Sequence, residues 1–217
     1  MHGWHARDGW RRLAPLLVAP ALLAGCSNPA GDTAEPTPAA TASPTIRAAD
    51  TPDANDPSTL GAAVRKHAKA AGVNPVLVMA ILFNESYKPH DATSQQLWLA
   101  LNPDASLGVA NMHRAAYDDT KRGRDFAGRA WEDLAEDADL AVEAEAWYLH
   151  DLAGTLPTRR AGSLTRDELL ALGYNTGPSN MRAFARGVRP GPMAQTYLDE
   201  LHDNWAKSAA AVGTAAT

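Results

Sequence analysis

Eight apolar residues run without a break from Val76 to Phe83, and a carboxylate, Glu85, closes the run. A stretch that is apolar on every side has to be buried on every side, so the rest of the chain must fold around it. Asn74 is a natural N-cap and Pro75 fits the first helical position. The β-branched residues of the run would also suit a buried strand, but the Asn-Pro start and the length favour a helix. Glu85 is then anomalous, because Glu is rarely buried unless it is paired or functional.

The remaining periodicities are helical too. Leu60, Val64 and Ala68 share a face that Gly72 can end. "WEDLAEDADLAVEAEAWYLHDLAG" carries Leu134, Ala138, Ala141, Val142, Glu145, Tyr148, Leu149 and Leu152 at helical spacing, with Gly154 as its stop. "TRDELLALGYN" opens with a capping box from Thr165 to Glu168. "GPMAQTYLDELHDNW" starts near Pro192 and aligns Tyr197, Leu201 and Trp205. No alternating strand pattern stands out, so a mainly α domain is expected over 58–206.

Both flanks read differently. Arg7, Arg11 and Arg12 precede a short apolar stretch, residues 13–25, which holds two prolines and ends in small residues. That is the pattern of an export signal, too short for a membrane span. The chain's single cysteine, Cys26, follows Leu23-Ala24-Gly25. The tetrad resembles a bacterial lipobox, which implies cleavage before Cys26 and its lipidation; an ordinary secretory signal with an incidental cysteine is the alternative. The expected location is outside the cytoplasmic membrane, held by an acyl anchor and facing the wall. Residues 26–57 are rich in Pro, Thr, Ala and Asp, with one Ile and no aromatic residue. Such a segment buries too little apolar surface to offset chain entropy, and reads as a disordered tether. A loose tail is expected over 207–217.

Charge and cysteine usage narrow the function. The net charge is −5 and no long basic block is present, which argues against nucleic acid as a partner. One cysteine permits no intrachain disulfide, and the seven scattered histidines show no zinc-site spacing. No metal or cofactor is expected.

Glu85 then reads as a candidate acid. Desolvation and the negative end of the helix dipole both favour the protonated form of a carboxyl placed there. A Glu protonated near neutral pH is what general-acid chemistry needs. The alternative is an earlier helix end and a solvated Glu85.

Two later stretches weigh on that choice: "SLGVANM" at 106–112 and "LGYNTGPSNM" at 172–181. Together with "NES" at 84–86 and "EAWYLHDL" at 145–152 they resemble, in order, the motifs of the soluble-type bacterial lytic transglycosylases. The resemblance covers roughly residues 60–205 and implies a lysozyme-like fold. It carries the catalytic acid/base onto Glu85, the neighbouring serine onto Ser86, and the glycine of the second motif, where backbone nears the sugar, onto Gly108. Asn111 falls where the family has Gln. Tyr174 and Asn175 match the Tyr-Asn pair, whose hydroxyl lies near the catalytic carboxylate. Gly-Val-Ala-Asn replaces the family's Gly-Leu-Met-Gln, and the segment from Glu85 to Gly108 is longer than usual. Its "QQLWLALNPD", residues 95–104, is either a flap or packing, with packing preferred.

The implied substrate is peptidoglycan, cut between N-acetylmuramic acid and N-acetylglucosamine by a single glutamate, with a 1,6-anhydro product. Neither Asp91 nor Asp104 offers a compelling second acid, since both sit in turn-like polar contexts. Trp147 and Trp205 are expected in the core, His113 on the surface of a helix, and Glu143 and Glu145 in solvated or structural roles. Three alternatives stay open: a lysozyme-type hydrolase on the same fold, an inactive wall-binding lipoprotein, and a helical scaffold with accidental motifs.

Overall fold

The computed structural model describes residues 56–87, 91–102 and 105–213. The expected signal segment, Cys26 and the tether up to residue 55 lie outside the described residues, as does the end of the tail from residue 214. The described residues are mainly helical, with α1 Gly61–Ala71, α2 Pro75–Glu85, α3 Ala92–Leu101, α4 Arg114–Thr120, α5 Ala138–Thr155, α6 Arg166–Thr176, α7 Pro178–Ala185 and α8 Pro192–Ala211. One antiparallel ladder, β1 Ser106–Leu107 with β2 Met112–His113, joins the ends of a turn. None of the described helices is long and apolar enough to cross a membrane.

The apolar run is the central helix. Asn74 caps α2 through its side chain, which accepts from the Val76 N–H at 3.0 Å, and Pro75 occupies the first turn. Nine of the eleven residues of α2 are buried, so it presents no solvent face. Leu77, Met79, Ile81 and Leu82 are fully enclosed, each contributing roughly 1.5–3 kcal/mol of transfer free energy. α8 packs most extensively on α2, and α1, α5 and α6 close the other sides. Gly72 ends α1 in the left-handed conformation at φ +67°. The Thr165–Glu168 capping box forms with both reciprocal bonds, at 3.2 and 2.6 Å.

Three expectations need correction. The long helical stretch from Trp131 is two elements: Trp131–Ala135 is a 3-10 turn, and α5 begins only after Asp137, whose side chain accepts from the Leu140 N–H. Side-chain capping by Asp competes with helix continuation at that point. Gly154 lies inside α5, which ends at Thr155, before Leu156-Pro157. The tail expected to be loose from residue 207 continues as helix to Ala211, with Ser208 and Ala209 buried. Small residues bring α8 close to α1 here: a Cβ on Gly61 would stand 2.3 Å from the Ala211 carbonyl oxygen. Arg65 Nη1 also donates to the Val212 carbonyl at 3.3 Å.

Residues 95–101 do not pack as preferred. In α3, Leu97, Trp98 and Leu101 are exposed while Gln95 is buried. The helix is turned so that Gln95 and the half-buried Leu99 face the domain, while three of its large apolar residues face outward.

Candidate active site

Glu85 is the last residue of α2 and is only 9% exposed. The helix that carries it has no other charge, so its carboxyl ends an apolar column. Two side chains from distant segments hold that carboxyl. Tyr197 Oη, from α8, donates to Glu85 Oε1 at 3.1 Å. Asn111 Nδ2 donates to Glu85 Oε2 at 3.1 Å and to the Glu85 backbone carbonyl at 2.7 Å. The second of these bonds occupies a carbonyl at the helix end, where α-helical carbonyls otherwise lack partners.

Each arm is positioned by its own local structure. Asn84 Nδ2 donates to the Tyr197 carbonyl at 3.0 Å, and Asn204 Nδ2 donates to Asn84 Oδ1 at 2.6 Å. The residue beside the acid thereby locks α8, and with it the Tyr197 ring, against α2. Asn111 sits in the turn between β1 and β2 at φ +48°, the one non-glycine residue at positive φ among the described residues. Asn tolerates that left-handed conformation better than most side chains. Gly108, at φ +74° in the same turn, is pressed against the 3-10 segment: a Cβ there would meet the Leu134 carbonyl oxygen at 2.7 Å. Its N–H donates to Gln95 Oε1 at 2.6 Å, so the buried glutamine of α3 pins the turn that aims Asn111.

The other expected residues lie nearby in different roles. Ser86 Oγ donates to the Phe83 carbonyl at 2.8 Å and finishes α2. Tyr174 Oη donates to the Ala110 carbonyl at 2.6 Å, one residue before Asn111, while its ring meets Tyr148 edge to face at 5.6 Å. The hydroxyl on the carboxylate is thus that of Tyr197, and Tyr174 supports the turn. Gly108 turns its backbone to Gln95 and Leu134 within the protein. Asn175 is exposed and lines a pocket of about 650 Å3 that also reaches Tyr197. His113 is exposed at the end of β2, just before α4 and not on a helix surface, while Trp147 and Trp205 are half-buried against the core.

Sequence reasoning missed two residues. Tyr197 read as one of three residues on a buried face, yet a buried phenol usually finds a partner for its hydroxyl. Asking which partner would have led to the acid. Glu145 lies on the apolar stripe of α5, is completely buried, and neither carboxyl oxygen has a hydrogen-bond partner among the described residues. Burial, and then the charge of Glu85, hold its pKa well above the usual carboxylate range. The Tyr174 and Tyr197 hydroxyls are raised well above their ordinary value by burial first, with the two glutamates adding to it. Two carboxyls and two phenols thus lie within electrostatic reach of one another, and Glu85 has donors on both oxygens. No group of His, Cys, Asp and Glu among the described residues is arranged to hold a metal ion.

A mainly helical domain built round one buried helix that ends in a glutamate has the lysozyme-like architecture. The profile of the transglycosylase SLT domain matches residues 62–189, and the chain belongs to that family. The family is one of peptidoglycan lytic transglycosylases, and glycan strands are the partner it implies. No curated protein sequence matches the chain.

Proposed function

We propose that this domain cuts the β-1,4 bond between N-acetylmuramic acid and N-acetylglucosamine with Glu85 as its single acid/base, releasing a 1,6-anhydro product. The observation that carries the reading is the Glu85 carboxyl, buried at the end of an uncharged helix with a reversible partner on one oxygen and a fixed donor on the other. Asn111 Nδ2 can only donate, so Oε2 stays unprotonated while that bond is made. The acid proton then belongs on Oε1, facing a phenol that can donate to the carboxylate or accept from the acid. Tyr197 can follow both halves of the cycle by rotating its O–H.

In the first half, Glu85 gives its proton to the departing oxygen as the glycosidic bond breaks. The 2-acetamido group of the muramyl sugar stabilises the positive charge developing at the anomeric carbon. In the second half, carboxylate Glu85 takes the proton of the 6-hydroxyl while that oxygen bonds to the anomeric carbon. No water is consumed and Glu85 returns to the acid. Two-carboxylate glycosidases need a second acid that reaches substrate or water. Glu145 is fully enclosed and reaches neither, which favours the one-glutamate route over two-carboxylate hydrolysis. On the same reading the chain is exported and anchored through Cys26, so that the domain faces the wall; the Leu-Ala-Gly-Cys tetrad supports this.

The test is mass spectrometry of soluble products after the full chain, and a Glu85→Gln copy, are incubated with peptidoglycan sacculi. Muropeptides lighter by one water, formed by the parent alone, are expected. Reducing-end products would mean hydrolysis, and binding to sacculi without any product would mean an inactive glycan-binding domain.

A further inference from the structure

Two stretches of the chain, 152–166 and 169–198, hold six arginines, no lysine and no Asp or Glu, although the net charge of the whole is −5. The fold sets five of these arginines side by side. The Ala161 N–H donates to the Ala185 carbonyl at 2.9 Å, which brings Arg159 and Arg160 to the end of α7, where Arg186 stands. Arg182 lies one turn before Arg186 on the same side of the helix. The Val188 N–H turns back to the Ala183 carbonyl at 3.1 Å, with Gly187 left-handed at φ +94°. That closed turn keeps Arg189 at the same end of the helix.

Elsewhere the arginines are paired: Arg114, Arg122, Arg124 and Arg129 each hold a carboxylate. Arg159, Arg160, Arg182, Arg186 and Arg189 form no ion pair among the described residues. Arg182 donates to the Ser179 hydroxyl at 3.2 Å, and the other four are exposed. Like charges gathered at one end of a domain repel one another, and an anion laid across them relieves that repulsion. Shape and composition select the anion. None of the five lines the pockets of about 650, 310 and 260 Å3, so they offer an open face, not a cleft for a single strand. The guanidinium fork matches pairs of phosphate oxygens. Val188, 54% exposed, stands between Arg186 and Arg189. An apolar side chain among phosphate-binding ones suits a headgroup layer, which is charged outside and apolar beneath.

We propose that the end of α7, with residues 159–160 and 186–189, seats this domain on an anionic lipid surface. The seat rests on the exported location read from residues 7–26 and not on the cleavage chemistry. At 3.6 residues per turn, Arg182 and Arg186 lie roughly opposite Asn180 and Phe184, the α7 residues that line the 650 Å3 pocket. A domain held by its arginines therefore keeps that pocket, and the Tyr197 it reaches, turned from the bilayer. A tether through Cys26 alone would leave the orientation free.

The experiment is co-sedimentation of the full chain carrying Cys26→Ser, which removes the acylation site, with vesicles. These are phosphatidylcholine alone, or two parts of it to one part phosphatidylglycerol. The apolar segment 13–25 contributes alike to both, so the readout is the ratio of the two affinities. One variant changes Arg160, Arg186 and Arg189 to Gln. The control changes Lys66, Lys69 and Arg122, on α1 and beyond α4, to Gln, for the same net charge. Each charge held at an anionic surface is about a fivefold effect, so the preference for anionic vesicles is expected to fall roughly 30- to 150-fold in the first variant and at most about fivefold in the control. High salt should erase the difference. Circular dichroism checks that both variants remain folded. Equal loss in the two variants would mean net charge alone, and no preference in the parent would mean a solvated face; either overturns the proposal. So would binding to soluble polyphosphate that only the first variant loses while its vesicle preference is unchanged, since the partner is then an anionic polymer. Vesicle preference without cleavage of sacculi would sink the cleavage reading alone. Cleavage without vesicle preference would sink this one alone.

Discussion

Replacing Glu145 by Gln should flatten the dependence of folding stability on pH. Glu145 is fully buried without a hydrogen-bond partner, and burial and the charge of Glu85 hold its folded pKa well above the ordinary carboxylate value. In the unfolded chain it titrates near the ordinary value of about 4.3. Between these two values the native state keeps a proton that the unfolded state has lost. Stability from this group is therefore complete below the unfolded pKa and is lost as pH rises toward the folded one. The slope across that window is about 1.4 kcal/mol per pH unit. Gln has the same shape and does not titrate. Its buried amide still lacks partners and costs about 1–3 kcal/mol, but at every pH alike. Urea denaturation at pH 4, 5, 6 and 7 separates the two effects: a constant offset from the amide, and a gap that moves in favour of the variant with each pH unit. Glu85→Gln should narrow the pH window over which Glu145 contributes, because the charge of Glu85 is one of the two causes of the shift. Parallel curves for parent and Glu145→Gln would refute the reasoning, since they would mean that Glu145 is solvated or paired in solution.

Three further outcomes follow from the site. Tyr197→Phe removes the hydroxyl on Glu85 Oε1; a bond to a charged group is worth about 1.5–3 kcal/mol, so muropeptide release should fall roughly 10- to 150-fold in kcat with KM little changed. Asn111→Asp sets a second carboxylate against both the Glu85 carbonyl and its carboxylate, and should reduce turnover at neutral pH more than Asn111→Ala does, with part of the loss recovered at lower pH. Gly108→Ala meets the Leu134 carbonyl at 2.7 Å in a left-handed backbone; the strain alone is about 1–3 kcal/mol, so thermal unfolding should come at least roughly 2–4 °C earlier.

The helices were legible because each is marked by local chemistry. Asn74-Pro75 starts α2, Gly72 ends α1 and Thr165 with Glu168 caps α6. Where reading failed, apolar spacing concealed a local cap or the deciding partner was remote in sequence. Asp137 breaks the helical stretch from Trp131 by a side-chain cap, although the apolar spacing runs on through the break. Residues from Ser208 onward looked like low-complexity tail, yet their small size is what lets α8 close against Gly61. The exposed face of α3 was invisible for the same reason: Gln95 is drawn inward by the Gly108 N–H, thirteen residues away.

The site shows the same division more sharply. Glu85 could be picked out because one carboxylate at the end of a buried apolar run is anomalous in its own neighbourhood. Asn111 stood out only as falling where the family has Gln. Its amide instead turns back on Glu85, bonding carbonyl and carboxylate together. A shorter side chain in a left-handed turn suits that inward reach, so the departure from the family's pattern sits in the support of the acid. Tyr197 reaches Glu85 across 112 residues of sequence, and its spacing with Leu201 and Trp205 is satisfied equally by packing. Only the fold distinguishes a phenol that fills space from one that holds a buried carboxyl oxygen. The general rule that buried polar atoms need partners converts one into a question about the other. Applied to Glu145, that rule gives the opposite answer, a carboxyl with no partner among the described residues, and burial then favours its protonated form.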